Sequence, residues 1–145
     1  MSDKIFVDTN ILLYAHDPDS GEKRKTANER LRELWERKTG ILSTQVLQEF
    51  YVNIIRKIRS PLSRERARSI VGDYVKWVID VTPAEIMAAF LIEDESQVSF
   101  WDALIVAAAV KGNASRILSE DLTAGQRIAG VLIENPFAPT GKSAG

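Results

Sequence analysis

Ile5-Phe6-Val7-Asp8-Thr9-Asn10 sets how the rest of the chain is read. Three apolar residues of β-branched and aromatic character make a short buried strand, and an acid ends it abruptly. Similar runs return at Ile41-Leu42, Val78-Ile79-Asp80-Val81, Arg116-Ile117-Leu118-Ser119 and Val131-Leu132-Ile133. Helical patterns lie between them. From Glu22 to about Lys38, the residues Ala27, Leu31, Leu34 and Trp35 form one apolar stripe, and Gly40 is expected to stop that helix. Ser43 or Thr44 can cap the next, whose stripe is Val46, Leu47, Phe50, Tyr51, Ile54, Ile55 and Ile58. Ser60-Pro61-Leu62-Ser63 breaks it and caps a helix with Ala67, Ile70, Val71, Tyr74 and Val75 inward. Thr82-Pro83-Ala84-Glu85 and Ser99-Phe100-Trp101-Asp102 both read as capping boxes. The second opens a helix apolar nearly all round, Ala103 to Val110, which must be buried on most sides. Strands alternating with helices in short units, with no obvious hairpin signal, predict an α/β fold with a mainly parallel sheet.

Composition narrows the chemistry. A chain of 145 residues, 45% hydrophobic and 27% charged, fits one soluble domain with a sizeable core. Residues 1–137 are expected to form that domain and 138–145 a flexible C-terminal tail. There is no cysteine, so disulfides, thiolate metal sites and a cysteine nucleophile are excluded. The one histidine, His16, reads as a loop residue and rules out a His-rich site. The N-terminus does not read as a signal peptide, and Ala103 to Val110 is far too short to span a membrane. A cytoplasmic location is expected. The net charge of −1 conceals an asymmetry. Lys23 to Arg68 holds thirteen Lys and Arg against five Asp and Glu, and the remainder six against fifteen. The segment reads either as solvated helix faces or as a basic face for a polyanion beside an acidic centre.

In an open parallel α/β sheet, ligands bind outside the C-terminal ends of the strands. Four acids are predicted on that rim. Asp8 follows the first strand, and Asp121, with neighbour Glu120, follows the Arg116–Ser119 strand. Asp102 lies in the first turn of the buried helix. Glu49 lies in the first turns of the helix after Ile41-Leu42, at the border of its apolar stripe. Each alone has a structural reading: Asp102 as a capping acid, Asp8 as the start of a turn, Glu49 as a surface residue, Asp121 as a loop aspartate. Together they would repel one another and take up protons unless a cation intervenes. Oxygen-only ligands favour Mg²⁺ or Mn²⁺, metals suited to phosphodiester hydrolysis by activated water. Trp35, Trp77 and Trp101 read as core rather than as platforms for bases.

These residues resemble a known family. Phe6-Val7-Asp8-Thr9-Asn10-Ile11-Leu12-Leu13-Tyr14 resembles the opening motif of PIN-domain ribonucleases. Ser43 to Tyr51, centred on Glu49, is similar to the second motif, Ser99 to Ile105 to the third and Leu118 to Leu122 to the fourth. Gly130-Val131 through Phe137 resembles the closing strand. The motifs run in order over nearly the whole chain, and its size resembles the VapC-type toxins of bacterial toxin–antitoxin pairs. The resemblance implies a three-layer fold with a twisted, mainly parallel sheet flanked by helices. It implies a divalent-metal-dependent endoribonuclease, with Asp8, Glu49, Asp102 and Asp121 binding Mg²⁺ or Mn²⁺ and carrying catalysis. Asn10 would orient the first aspartate, and Ser119 stands where a small hydroxyl residue is common. Asp121 is taken as the fourth acid, with Glu120 second. The implied partners are RNA, a small antitoxin that covers the site, and a second copy in a homodimer.

Two other readings compete. One is a non-catalytic PIN-fold module acting through protein or RNA partners, against which stands the presence of all four acids. The other is an aspartyl-phosphate enzyme with Asp8 as nucleophile. The second aspartate that chemistry needs two residues on is Asn10 here.

Overall fold

Apolar runs too short to cover themselves form strands only by pairing, and they do so here in a six-stranded sheet. The computed structural model describes residues 3–138; the tail expected from residue 138 onward lies, apart from Ala138, outside the described residues. The strands are β1 (Ile5–Val7), β2 (Gly40–Ser43), β3 (Val78–Ile79), β4 (Arg116–Leu118), β5 (Arg127–Ile128) and β6 (Val131–Glu134). Their order across the sheet is β3-β2-β1-β4-β6-β5. The pairs β1–β2, β1–β4, β2–β3 and β4–β6 are parallel, with Phe6 opposite Ile41 on one side and Ile117 on the other. Only β5 and β6 run antiparallel.

That hairpin departs from the expectation of none. Its two connecting residues, Ala129 (φ 50°) and Gly130 (φ 84°), both lie in the left-handed region, as a tight two-residue turn requires. Alanine in place of the usual Asn or Asp at the first position hides the signal.

The helices are α1 (Thr9–His16), α2 (Glu22–Arg37), α3 (Thr44–Arg56), α4 (Arg64–Tyr74), α5 (Pro83–Ser96) and α6 (Phe100–Lys111), with a 3₁₀ turn at Val75–Trp77. Short polar side chains start most of them. Ser43, Ser63 and Ser99 accept the backbone N–H of Val46, Arg66 and Asp102 respectively. Helix α1 is not evident from the sequence pattern, and His16 is its last residue rather than a loop residue. Helix α2 ends at Lys38, in the left-handed region (φ 58°), two residues before the expected glycine. Gly40 instead makes room for a ring, since a Cβ there would stand 2.6 Å from Trp77. The missing side chain lets Trp77 lie against β2, where it packs on Trp35 and Tyr74.

Helix α6 packs across β2, β3, β4 and β6 with α5 against it, while α1 packs on α2 and α3, and α3 on α4. Sheet residues Phe6, Val7, Leu42, Ile117 and Leu118 are wholly buried between these layers. Each such side chain contributes roughly 1.5–3 kcal/mol relative to exposure. Ala103 to Ala109 of α6 are buried, as its apolar pattern requires. Trp101 corrects the reading of three core tryptophans. It is 61% exposed, touching Phe100 edge-on at the start of α6. Among the described residues no helix is long and apolar enough to cross a membrane.

Candidate metal centre

From β1 the chain moves one way to β2 and β3, then returns to the other side of β1 for β4 and β6. The strand order reverses between β1 and β4, so a crevice opens beyond their C-terminal ends. Two acids sit at this point. Asp8 leaves β1, its N–H donating to the Leu118 carbonyl (3.0 Å), and caps α1. Asp121 lies just beyond β4.

Asp8 is 6% exposed, and both its carboxylate oxygens are engaged. Oδ1 accepts the N–H of Thr9 at 2.7 Å, and Oδ2 accepts the hydroxyl of Ser119 at 2.8 Å. Burial nevertheless raises its pKa to about 6, outweighing those two bonds, and the negative charges of Asp121 and Asp102 push it further in the same direction. Asp121 and Asp102 are thus near enough to be felt at Asp8. Ser119 is the hub of this side. Its hydroxyl donates to Asp8 and accepts the N–H groups of Asp121 (3.1 Å) and Leu122 (3.2 Å).

Asn10 ties α1 to the same loop. Its Nδ2 donates to Asp121 Oδ2 at 3.0 Å and its Oδ1 accepts the Glu120 N–H at 3.1 Å. It therefore holds Asp121 rather than Asp8. The adjacent acids part company here. Glu120 accepts the Tyr14 hydroxyl and the Lys23 ammonium, each at 2.5 Å. Burial works to raise the Glu120 pKa, but Lys23 and Tyr14 prevail and hold it below its ordinary value.

Glu49 enters from α3. Its Oε1 accepts the Thr9 hydroxyl at 2.8 Å, so its anchor is the residue next to Asp8. Its backbone carbonyl accepts Asn53 Nδ2 at 2.7 Å. Asp102 enters from the first turn of α6, where its N–H donates to Ser99 Oγ at 3.1 Å. Its carboxylate makes no hydrogen bond or ion pair among the described residues. Gln45 links the two helices. Its Nε2 stands 3.5 Å from Glu49 Oε2 and 3.4 Å from the Trp101 carbonyl.

The basic segment divides. Lys23 pairs with Glu120, Arg30 with Glu134, and Arg68 bonds the Tyr51 hydroxyl, while Arg24, Lys25, Arg32, Arg56, Lys57, Arg59, Arg64 and Arg66 are exposed. Sequence reasoning missed the use of Thr9 and Gln45, which lie inside the quoted motifs but were given no role there. It also missed Tyr14 and Lys23, whose pairing with Glu120 spans 106 and 97 residues.

The residues fit a hard divalent cation by their donor chemistry. Asp8, Glu49, Asp102 and Asp121 supply only oxygen, and none has a Lys or Arg partner among the described residues. The ion-paired acids are others: Glu33, Glu85, Glu120 and Glu134. Among the described residues, however, no three or more Asp, Glu or His side chains stand grouped so that they could hold a metal ion as placed.

The family model for the PIN domain matches residues 5–127. This chain belongs to the PIN domain family. No curated protein matches it. Solved structures share the PIN fold at low identity. A chain of the Rickettsia felis VapBC2 complex bound to a promoter DNA fragment is 21% identical, with a TM-score of 0.64, over 90% of this chain and 97% of that one. A chain of a toxin–antitoxin complex from Klebsiella pneumoniae is 18% identical, TM-score 0.67, over 93% and 98%. The Mycobacterium tuberculosis toxin VapC20, which cleaves the sarcin–ricin loop, is 23% identical, TM-score 0.60, over 81% and 90%.

Proposed function

We propose that this PIN domain is a divalent-metal-dependent endoribonuclease and the toxin of a type II toxin–antitoxin pair. One observation carries the reading: Asp8 is buried beyond β1 within the influence of Asp121 and Asp102, Glu49 bonds the adjacent Thr9, and none of the four has a cationic partner among the described residues, while neighbouring acids are neutralised. Family membership and the toxin–antitoxin complexes sharing its fold support it.

Asp8 and Asp102 would be the main holders of Mg²⁺ or Mn²⁺, with Glu49 and Asp121 completing the set. When bound, the cation offsets the charge of the carboxylates, acidifies water and stabilises the leaving oxygen of a cleaved phosphodiester. The protein's own part is positioning. Ser119 and the Thr9 N–H hold the Asp8 carboxylate, Asn10 holds Asp121, and the Thr9 hydroxyl holds Glu49. The exposed arginines and lysines of α2 to α4 would meet RNA phosphates, so binding should weaken as salt rises. Glu120 serves as a strut for Lys23 and Tyr14. A cognate antitoxin would cover the crevice. A homodimer would cover the apolar strip of Met87, Phe90, Leu91 and Trp101, all exposed.

The test is cleavage of a structured RNA pool by purified protein, with Mg²⁺ or Mn²⁺ and with chelator, beside Asp8→Asn. The expected result is chelator-sensitive cleavage that the variant reduces by at least about 100-fold. Equal cleavage by the variant would sink the site assignment. No metal-dependent cleavage of any RNA, with the antitoxin removed, would favour the non-catalytic module.

A further inference from the structure

Gln45 lies in the first turn of α3, one turn before Glu49, and is 7% exposed. Its amide stands between the Glu49 carboxylate and the Trp101 carbonyl, in the turn that carries Asp102. Both neighbours are acceptors, so the nitrogen must face them. Turned the other way, the amide would set its oxygen against a carboxylate and a carbonyl. The orientation leaves Oε1 buried, and it has no hydrogen-bond partner among the described residues. It is the one buried side-chain atom there of which this is true. A buried acceptor without a protein donor is costly and calls for a water or a ligand that brings one.

A hydrated divalent cation brings one. Magnesium held by a few carboxylates keeps several waters, and each water has protons to donate. We propose that Gln45 is a positioning residue of the metal centre: Nε2 steadies Glu49 against the first turn of α6, and Oε1 accepts a hydrogen bond from a water of the cation's hydration shell. This rests on the metal-nuclease reading and assigns to it a residue outside the acidic quartet. It also accounts for a buried glutamine in a turn where an apolar residue would pack at no polar cost.

Metal binding and folding come apart at this residue, and one pair of variants reads both. Gln45→Met keeps the length and removes both polar atoms. Gln45→Glu keeps an oxygen at the tip and removes the donor. Mn²⁺ affinity is measured by calorimetry on the full chain, and the melting temperature is measured without metal. For Gln45→Met we expect Mn²⁺ affinity to fall about 10- to 100-fold, the range for groups that support metal ligands. The metal-free melting temperature should stay level or rise, because an unpartnered acceptor has been removed. Gln45→Glu keeps the acceptor but loses the donor that steadies Glu49, so its Mn²⁺ affinity should fall less than that of Gln45→Met, and an equal or larger fall overturns the role of Oε1. Unchanged affinity in Gln45→Met overturns the inference. So does a loss of affinity accompanied by a lower melting temperature, since damaged packing between α3 and α6 would explain both. Wild-type protein that binds no Mn²⁺ overturns the metal reading itself, an outcome distinct from either.

Discussion

Glu85 and Asp102 occupy the same place in two neighbouring helices. Each is the third residue after a Ser or Thr cap, at the start of α5 and of α6. Their fates differ. Glu85 completes its capping box: Oε1 accepts the Thr82 N–H at 2.8 Å and the Thr82 hydroxyl at 2.7 Å, and it pairs with Lys111 at 3.2 Å. The Thr82 bonds first, with Lys111 after them, hold its pKa down at about 2. Asp102 completes only half of its box. Ser99 receives the Asp102 N–H, but the carboxylate does not return to the cap. One methylene shorter than the usual Glu or Gln, it reaches the cap less readily. It acts on Asp8 instead. One motif thus closes on itself in one helix, and in the other leaves the carboxylate without a hydrogen-bond partner among the described residues.

Breaking the pair should give opposite outcomes. Asp102→Asn is expected to lower metal-dependent RNA cleavage by at least about 100-fold while leaving the melting temperature of the metal-free protein near wild type. Glu85→Gln should do the reverse, keeping cleavage within a few-fold and lowering the melting temperature. Parallel loss of cleavage in both would erase the distinction.

His16 extends the contrast to a third titratable group that serves the fold. Burial first, then the charges of Arg66 and Arg24, lower its pKa to about 4. The unfolded chain takes up a proton near pH 6.5 and the folded chain only near 4, so the neutral imidazole stabilises the fold above pH 6.5. That stability is lost as pH falls from 6.5 to 4, and the loss is about 3 kcal/mol at most. Denaturant titrations across this window should show the decline in wild type and a flatter profile in His16→Gln.

The smallest effect sharpens the comparison at its acid end. Glu85 has a lowered pKa, so its contribution is complete above about pH 4.5 and fades as pH falls towards 2. The stability gap between wild type and Glu85→Gln should therefore be constant at neutral pH and close in that acid window. A gap that persists at about pH 2 would mean that the variant harms packing rather than the cap.

The architecture was largely readable because β1, β2, β4 and β6 are apolar runs whose neighbours are strongly periodic helices. Helix α1 was not, since Ile11, Leu12 and Ala15 are buried while its polar residues Thr9 and Asn10 are engaged by the site. The strand β5, Arg127–Ile128, holds a single apolar residue and so offers no apolar run to read. At the site, the expectation of four acids on one rim rested on their places after the strands and at the helix starts. Which acids would be neutralised did not. Nothing local distinguishes Glu120 from Asp121; Lys23 does, from 97 residues away.

The bond from Ser119 to Asp8 spans 111 residues. Asp8 is translated before Ser119, and the loop that steadies it follows on the order of 10 s later at cellular synthesis rates. Throughout that interval the nascent chain carries an aspartate with no site around it. The acid and the hydroxyl that steadies it therefore meet only when both halves of the sheet are assembled, which makes their pairing a property of the finished domain and of no shorter stretch of chain.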